Sequence, residues 1–367
     1  NRVSTMVPHP LARESLFQIQ ELDPVRRARQ ERGHGGRMVD AHSSINPYGG
    51  AYARYPAGNG EDVRAAYVAY LAAETQARGG DPGPLTPDHV LLTPGSAAAL
   101  ELVFRAFLDA ARGDRIGIAS PAFPLYAHAA RLAGLGVVEV PLHHPELDTF
   151  DVDALVRAAP RVSFLCSPNN PTGLCLTLPL IRAMLERSAG IVVIDEAYIE
   201  FATQPSAVAF VTEFPNLIVT RTFSKAWGLA GVRVGAVIAS PAVVRTLGLV
   251  QLPFAVSQAA ELALRDKLAE PARMLETVAV LNGSKHRLAR RLAELPIIQR
   301  VHPSDANFLL VEVARADEVY DQLRRHGILV NHTGWALPDT LRISLGTEAD
   351  CEQLVAGFQQ IALELVS

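Results

Sequence analysis

The feature that most constrains this chain is an alternation. Short runs of branched apolar residues, RIGIAS, GVVEVPL, VSFLCSP, IVVIDEA, LIVTRT and VGAVIAS, recur from Arg115 to Ser240, and helical stretches such as PLYAHAARLAG, DVDALVRAA and LPLIRAMLERSAG lie between most of them. Strands that are apolar on both faces and separated by helices predict a mostly parallel sheet covered by helices on both sides, an α/β class. In such sheets ligands lie beyond the carboxyl ends of the strands. The informative residues are therefore those that follow each apolar run: TPGSAAA after Leu92, ASPAFPLY after Ile118, CSPNNPTG after Leu165, DEAY after Ile194 and TRTFSK after Val219. These polar, turn-forming clusters are expected to converge on one edge.

A chain of 367 residues exceeds what one ordinary core organises, so a large domain with a smaller companion is expected. Residues 1–60 read as an N-terminal arm and interface loops, with the charged segment RRARQERGHGGR followed by NPYGGAYARYPAGNG. Residues 61–254 form the large domain. Residues 255–367 form a smaller α+β unit in which long helices precede NFLLVEV, ADEVYDQLRRHG, ILVN, TLRISL and a closing helix. A formal charge of −4 gives no electrostatic reason to expect nucleic acid or an anionic membrane as partner, and no apolar run is long enough to span one. The three cysteines are far apart and without CxxC spacing, which suggests neither a disulfide framework nor a zinc site and fits a cytoplasmic protein. Small molecules remain the expected partners, and no metal is expected.

The stretch TFSKAWGLAGVRVG carries Lys225 just after the hydroxyls of Thr222 and Ser224, with Arg233 further on. An amine able to form an imine, beside hydroxyls and a guanidinium able to grip phosphate, is what an aldehyde cofactor with a phosphate tail requires. Asp195 ends IVVIDEAY. With no GxxxxGK[ST] loop upstream to make it a magnesium ligand, two readings stand: an anion facing a cationic ring nitrogen, or a cap on the following helix. Tyr198, three residues on, would share its face of a helical turn. Asn170 lies in SPNNPTG, a turn stiffened by Pro171 in which an amide sits on a rigid mount, or which is only a turn. The start of PGSAAALEL offers backbone donors at Ser96 and Ala97 to an anion. Phe123 is either core or a face on which a ring could stack. Arg342, inside the apolar run TLRISLG, is a forked donor suited to a carboxylate.

Taken together, SPNNPTG, VVIDEAY, TFSKAWGLAGVRVG and LRISLGT, in this order, resemble the class I/II aminotransferases that use pyridoxal 5'-phosphate (PLP), and within them the histidinol-phosphate aminotransferase branch. The resemblance implies the PLP-dependent transferase fold type I. It implies Lys225 as the imine-forming base and Asp195 as partner of the ring nitrogen. Tyr198 and Asn170 would hold the phenolate oxygen, and Phe123 would stack on the ring. Ser96, Ala97, Thr222, Ser224 and Arg233 would surround the phosphate, Tyr55 would arrive from a neighbouring subunit, and Arg342 and Asn170 would face the substrate. It further implies a homodimer with shared sites that moves an amino group between an amino acid or amino alcohol and a 2-oxo acid. Decarboxylation of a phosphothreonine-like substrate, cyclisation or oxidation are other outcomes on this fold. Three features depart from the pattern: Ala97 and Ala98 stand where many relatives carry an acid, Asn331 stands where the branch commonly has an arginine, and the arm LFQIQELDPVRRAR lacks a tyrosine.

Overall fold

The computed structural model describes residues 8–19, 44–46, 48–50, 52–56 and 60–366. The charged segment at 26–37 and most of the arm lie outside the described residues. The alternating runs form a seven-stranded sheet in the order β1-β7-β6-β5-β4-β2-β3. Its strands are β1 (Val90–Thr93), β2 (Arg115–Ser120), β3 (Gly136–Pro141), β4 (Val162–Cys166), β5 (Ile191–Asp195), β6 (Leu217–Thr222) and β7 (Gly235–Ala239). Neighbours from β3 through β6 pair parallel, and β7 runs antiparallel to both β6 and β1. Two reversals restore direction, so β1 points the same way as β6.

One edge of the sheet therefore carries Thr93, Gly235, Thr222, Asp195, Cys166 and Ser120, all at strand ends or, for Gly235, at a strand start. That edge is the one toward which the polar clusters were expected to converge. Helices α1 (Glu61–Ala77), α2 (Ser96–Phe107), α3 (Leu125–Leu132), α4 (Val152–Arg157), α5 (Leu178–Arg187) and α6 (Pro241–Val250) cover the sheet. The sheet's side chains split between two cores. Leu100, Val103, Tyr126, Val193, Ile218 and Val243 pack on one face, and Tyr67, Leu71, Ile181, Val192, Ile194 and Val219 on the other. The alternation within β5 is the period-2 geometry of a strand buried on both sides.

Past α6 come α7 (Gln258–Leu268) and α8 (Pro271–Ala293), and then a four-stranded antiparallel sheet in the order β10-β11-β9-β8. It comprises β8 (Ile298–Val301), β9 (Phe308–Val313), β10 (Asn331–His332) and β11 (Thr340–Ser344), with α9 (Ala316–Arg325) and α10 (Glu348–Val366) against it. Phe308 and Leu310 join the core of the large sheet, while Leu309 and Val311 join the core beneath α9 and α10. Helix α8 is shared in the same way, with Met274 and Val278 in the first core and Leu288 and Leu292 in the second. Phe254 lies with φ 55° in the link between α6 and α7. The sequence reading has neither β8 nor α6. PAVVRTLGLV is rich in branched residues, and its start is marked by proline at the first turn after Ser240. Among the described residues no helix is long and apolar enough to cross a membrane, and no cluster of histidine, cysteine, aspartate or glutamate could hold a metal.

Candidate active site

Asp195 is the last residue of β5 and is buried. Its Oδ2 accepts a hydrogen bond from the Tyr126 hydroxyl at 2.7 Å, and its Oδ1, also buried, has no hydrogen-bond partner. Burial pushes its carboxyl above the usual range, with the Tyr126 hydrogen bond opposing. A buried carboxylate oxygen without a donor is costly, so the site calls for a ligand N–H at that point. Tyr198 does not continue a helix from Asp195. It lies in a turn before the short 3-10 helix Ile199–Phe201, edge-on to Phe308 of the small unit at 5.1 Å, and burial pushes its hydroxyl up to about 12.

Lys225 follows β6 in the loop toward β7 and places Nζ 5.5 Å from the centre of the Tyr198 ring. Its side chain faces open space in the isolated chain. The walls around it nonetheless displace enough water, and Arg342 and Arg233 stand close enough, to lower its ammonium pKa below the ordinary lysine value, with Asp195 opposing. Beside it, the Arg233 guanidinium donates to the Ser224 hydroxyl at 3.3 Å and to the Ala230 carbonyl at 2.7 Å. Thr222, buried at the end of β6, accepts from the Ser224 amide at 3.2 Å.

Across from these residues helix α2 begins at Ser96 behind Gly95, whose φ of 83° suits glycine. A Cβ on Gly95 would come within 2.7 Å of the Arg233 guanidinium, and one on Gly235 within 2.6 Å of the Gly95 carbonyl carbon and the Ser96 nitrogen. The two glycines let β7 and Arg233 close against the free amides of the helix start. The result is a cup of backbone N–H groups, two hydroxyls and a guanidinium, matched to a phosphate. Phe123 is half-buried beyond the end of β2, edge-on to Tyr126 at 5.7 Å.

The turn at 169–173 joins the two units. Asn169 donates to the Pro121 carbonyl at 2.8 Å, tying this turn to the one that bears Phe123. Asp305 of the small unit donates its amide to the Gly173 carbonyl at 2.7 Å, and its Oδ2 accepts from Cys175 at 3.1 Å. Arg342 reaches from β11 to donate to the Asn170 side-chain oxygen at 2.6 Å, with its guanidinium 4.9 Å from the Phe308 ring centre. Asn331 is its direct cross-strand neighbour. Tyr55 stands apart from this group in the single chain: it is 58% exposed and stacks on Phe254 at 4.6 Å.

Tyr126 falls in the sequence within the cluster ASPAFPLY and the helical stretch PLYAHAARLAG, with no signal of its contact with Asp195. Also absent from the sequence reading is a buried ionic cluster on the opposite face of β5 and β6. There Arg221 donates to Glu196 at 2.8 Å, Glu200 at 3.2 Å and Glu74 at 3.0 Å, and Arg78 lies 3.3 Å from Glu74. Burial opposes charge on Arg221, yet the three carboxylates hold its pKa well above the ordinary value. Its signal in the sequence was the same as for Arg342, a guanidinium inside an apolar strand.

A model of the family "Aminotransferase class I and II" matches residues 44–358. The histidinol-phosphate aminotransferase of Parabacteroides distasonis is 35% identical over 352 residues, covering 94% of this chain and 97% of that protein. The enzyme of the same name from Chlorobaculum tepidum is 39% identical over 275 residues, covering 73% and 78%. Among solved structures, the histidinol-phosphate aminotransferase of Sinorhizobium meliloti in complex with pyridoxal-5'-phosphate superposes with a TM-score of 0.76 at 22% identity, covering 99% of this chain and 89% of that one. An L-threonine-O-3-phosphate decarboxylase from Porphyromonas gingivalis gives 0.70 at 23%, covering 85% and 91%. At these identities the structural likenesses show the fold alone.

Proposed function

The chain belongs to the class I and II aminotransferases, PLP-dependent enzymes, and from that premise we propose how its own residues bind PLP and move the amino group. Three features fit that group: the orphaned Asp195 Oδ1 suits the ring N–H, the cup around Gly95 and Gly235 suits the phosphate, and an amine of lowered pKa at Lys225 suits the aldehyde. When bound, PLP supplies an electrophilic aldehyde and a conjugated, cationic ring that accepts the electron pair left when a Cα proton is removed.

Asp195 holds the ring nitrogen protonated. Ser96, Ala97, Thr222, Ser224 and Arg233 hold the phosphate, and Phe123 covers one ring face. Tyr198 and Asn170 bind the phenolate oxygen. Lys225 would hold the aldehyde and would move the proton at the substrate carbon. Burial and the nearby guanidiniums of Arg342 and Arg233 lower its pKa, which favours the free amine a general base requires.

Arg342 binds the anionic group of the amino donor and then that of the 2-oxo acid acceptor. The observation that carries this reading is the Arg342 to Asn170 contact, which brings the anion clamp of the small unit onto the turn beside the cofactor. The donor is an amino acid or an amino alcohol. Histidinol phosphate, for which the relatives are named, is the first to test, and Asn331 beside Arg342 supplies an amide rather than a second charge. We further infer a cytoplasmic homodimer in which Tyr55 serves the partner's site; the exposure of Tyr48, Tyr52, Tyr55 and Leu252 supports it.

The test is turnover of a donor panel, histidinol phosphate included, with 2-oxoglutarate. Wild type should aminate the acceptor, and Lys225→Ala should lose ~10²–10⁴ in rate at least. Arg342→Leu should raise KM for donor and acceptor alike by ~10- to 100-fold, the worth of a charge-assisted contact. Full turnover by Lys225→Ala would remove the assignment.

A further inference from the structure

Asp195 has one oxygen engaged and one free, and what engages it is a side chain with no freedom of its own. Tyr126 is fully buried and stacks on Phe164 at 5.1 Å with planes 13° apart, and Phe104 stacks on Phe164 in turn at 5.3 Å and 13°. Phe123 closes the edge at 88°. This column of rings fixes the hydroxyl at the place where it meets Oδ2. A carboxylate turns readily about its last torsion, and a single hydrogen bond from a fixed donor stops that exchange.

We propose that Tyr126 is a positioning residue for the reaction: its hydroxyl grips Asp195 by Oδ2 in the one rotamer that leaves Oδ1 for the ring N–H of PLP. The inference rests on the reading of Asp195 given above and extends it to a residue that does not touch the cofactor nitrogen. The same hydrogen bond favours the ionised carboxylate, against the burial that disfavours it. The other groups around this carboxylate are Cys166 from β4, Thr220 from β6, the adjacent Glu196, the Ala197 amide, Tyr198 and, across the cleft, Lys225; Thr220 and the Ala197 amide also favour the ionised form, without reaching Oδ1 in hydrogen-bond geometry. Burial pushes the thiol of Cys166 up, so among these Tyr126 is the donor in hydrogen-bond contact with Oδ2.

The test replaces Tyr126 by Phe, which keeps the ring column and removes the oxygen. Apoenzyme is titrated with PLP and with its 1-deaza analogue, in which C–H stands in place of the ring nitrogen. Wild type should bind PLP more tightly than the analogue. In Tyr126→Phe the affinity for PLP should fall ~10-fold or more, the worth of a hydrogen bond to a charged group, while the affinity for the analogue stays. The deficit should widen as pH falls, because a carboxylate without its donor takes up a proton at higher pH. The analogue is the internal control, since a folding defect lowers both affinities together. Equal losses for the two ligands, or an unchanged preference for PLP, would overturn the role of Tyr126. A wild type that fails to distinguish the two ligands would instead overturn the reading of Asp195 itself.

Discussion

The buried cluster behind the site predicts a specific pH dependence of stability. Glu74, Glu196 and Glu200 share the guanidiniums of Arg221 and Arg78, so one negative charge is uncompensated in a region closed to water. The strain falls on Glu200. Desolvation first, and repulsion from Glu74 in addition, push its carboxyl from 4.5 up to about 7 despite Arg221. A folded chain that keeps a proton the unfolded chain would release is stabilised by it. That contribution is complete below about pH 4.5 and is lost as pH climbs through about 7. At ~1.4 kcal/mol per pH unit, the loss amounts to ~3 kcal/mol.

Glu200→Gln removes the titration and keeps the shape. Its stability relative to wild type should therefore improve by ~3 kcal/mol between about pH 5 and about pH 8, while titrating groups outside the cluster cancel in the difference. Urea unfolding of both proteins across that range, at fixed excess PLP, reads the quantity from midpoints at constant m. A gap that stays constant with pH would refute the argument: the excess charge would then have to be relieved elsewhere in the cluster.

Two further outcomes follow from the site. Gly235→Ala forces a Cβ to within 2.6 Å of backbone at the start of α2, so it should cost ~1–3 kcal/mol of stability and weaken PLP binding by at least as large a factor as it weakens the fold, measured by titration of the apoenzyme. The rate at which apoenzyme captures PLP should rise with pH and level off below the usual lysine range, because burial and the guanidiniums of Arg342 and Arg233 lower the Lys225 pKa. Stopped-flow absorbance across pH checks this, and a capture rate still rising through the ordinary lysine pKa would contradict it.

Local pattern was enough to locate the residues that end strands. Short apolar runs of branched residues bounded by turn residues read as buried strands, and the polar residues at or just after their ends, Asp195, Asn170, Thr222 and Lys225, were legible as lying at the sheet edge. Helix α2 and the long α8 were likewise marked by their own periodicity. What sequence could not carry is pairing across distance. Tyr126 meets Asp195 across 69 positions, Arg221 meets Glu74 across 147 and Arg342 meets Asn170 across 172. Each of these contacts depends on strand order, on the reversal at β7 that sets β1 beside it, and on the small sheet closing over the turn at 169–173. Those choices minimise exposed apolar area and unpaired buried charge over the whole molecule, quantities that no short stretch contains.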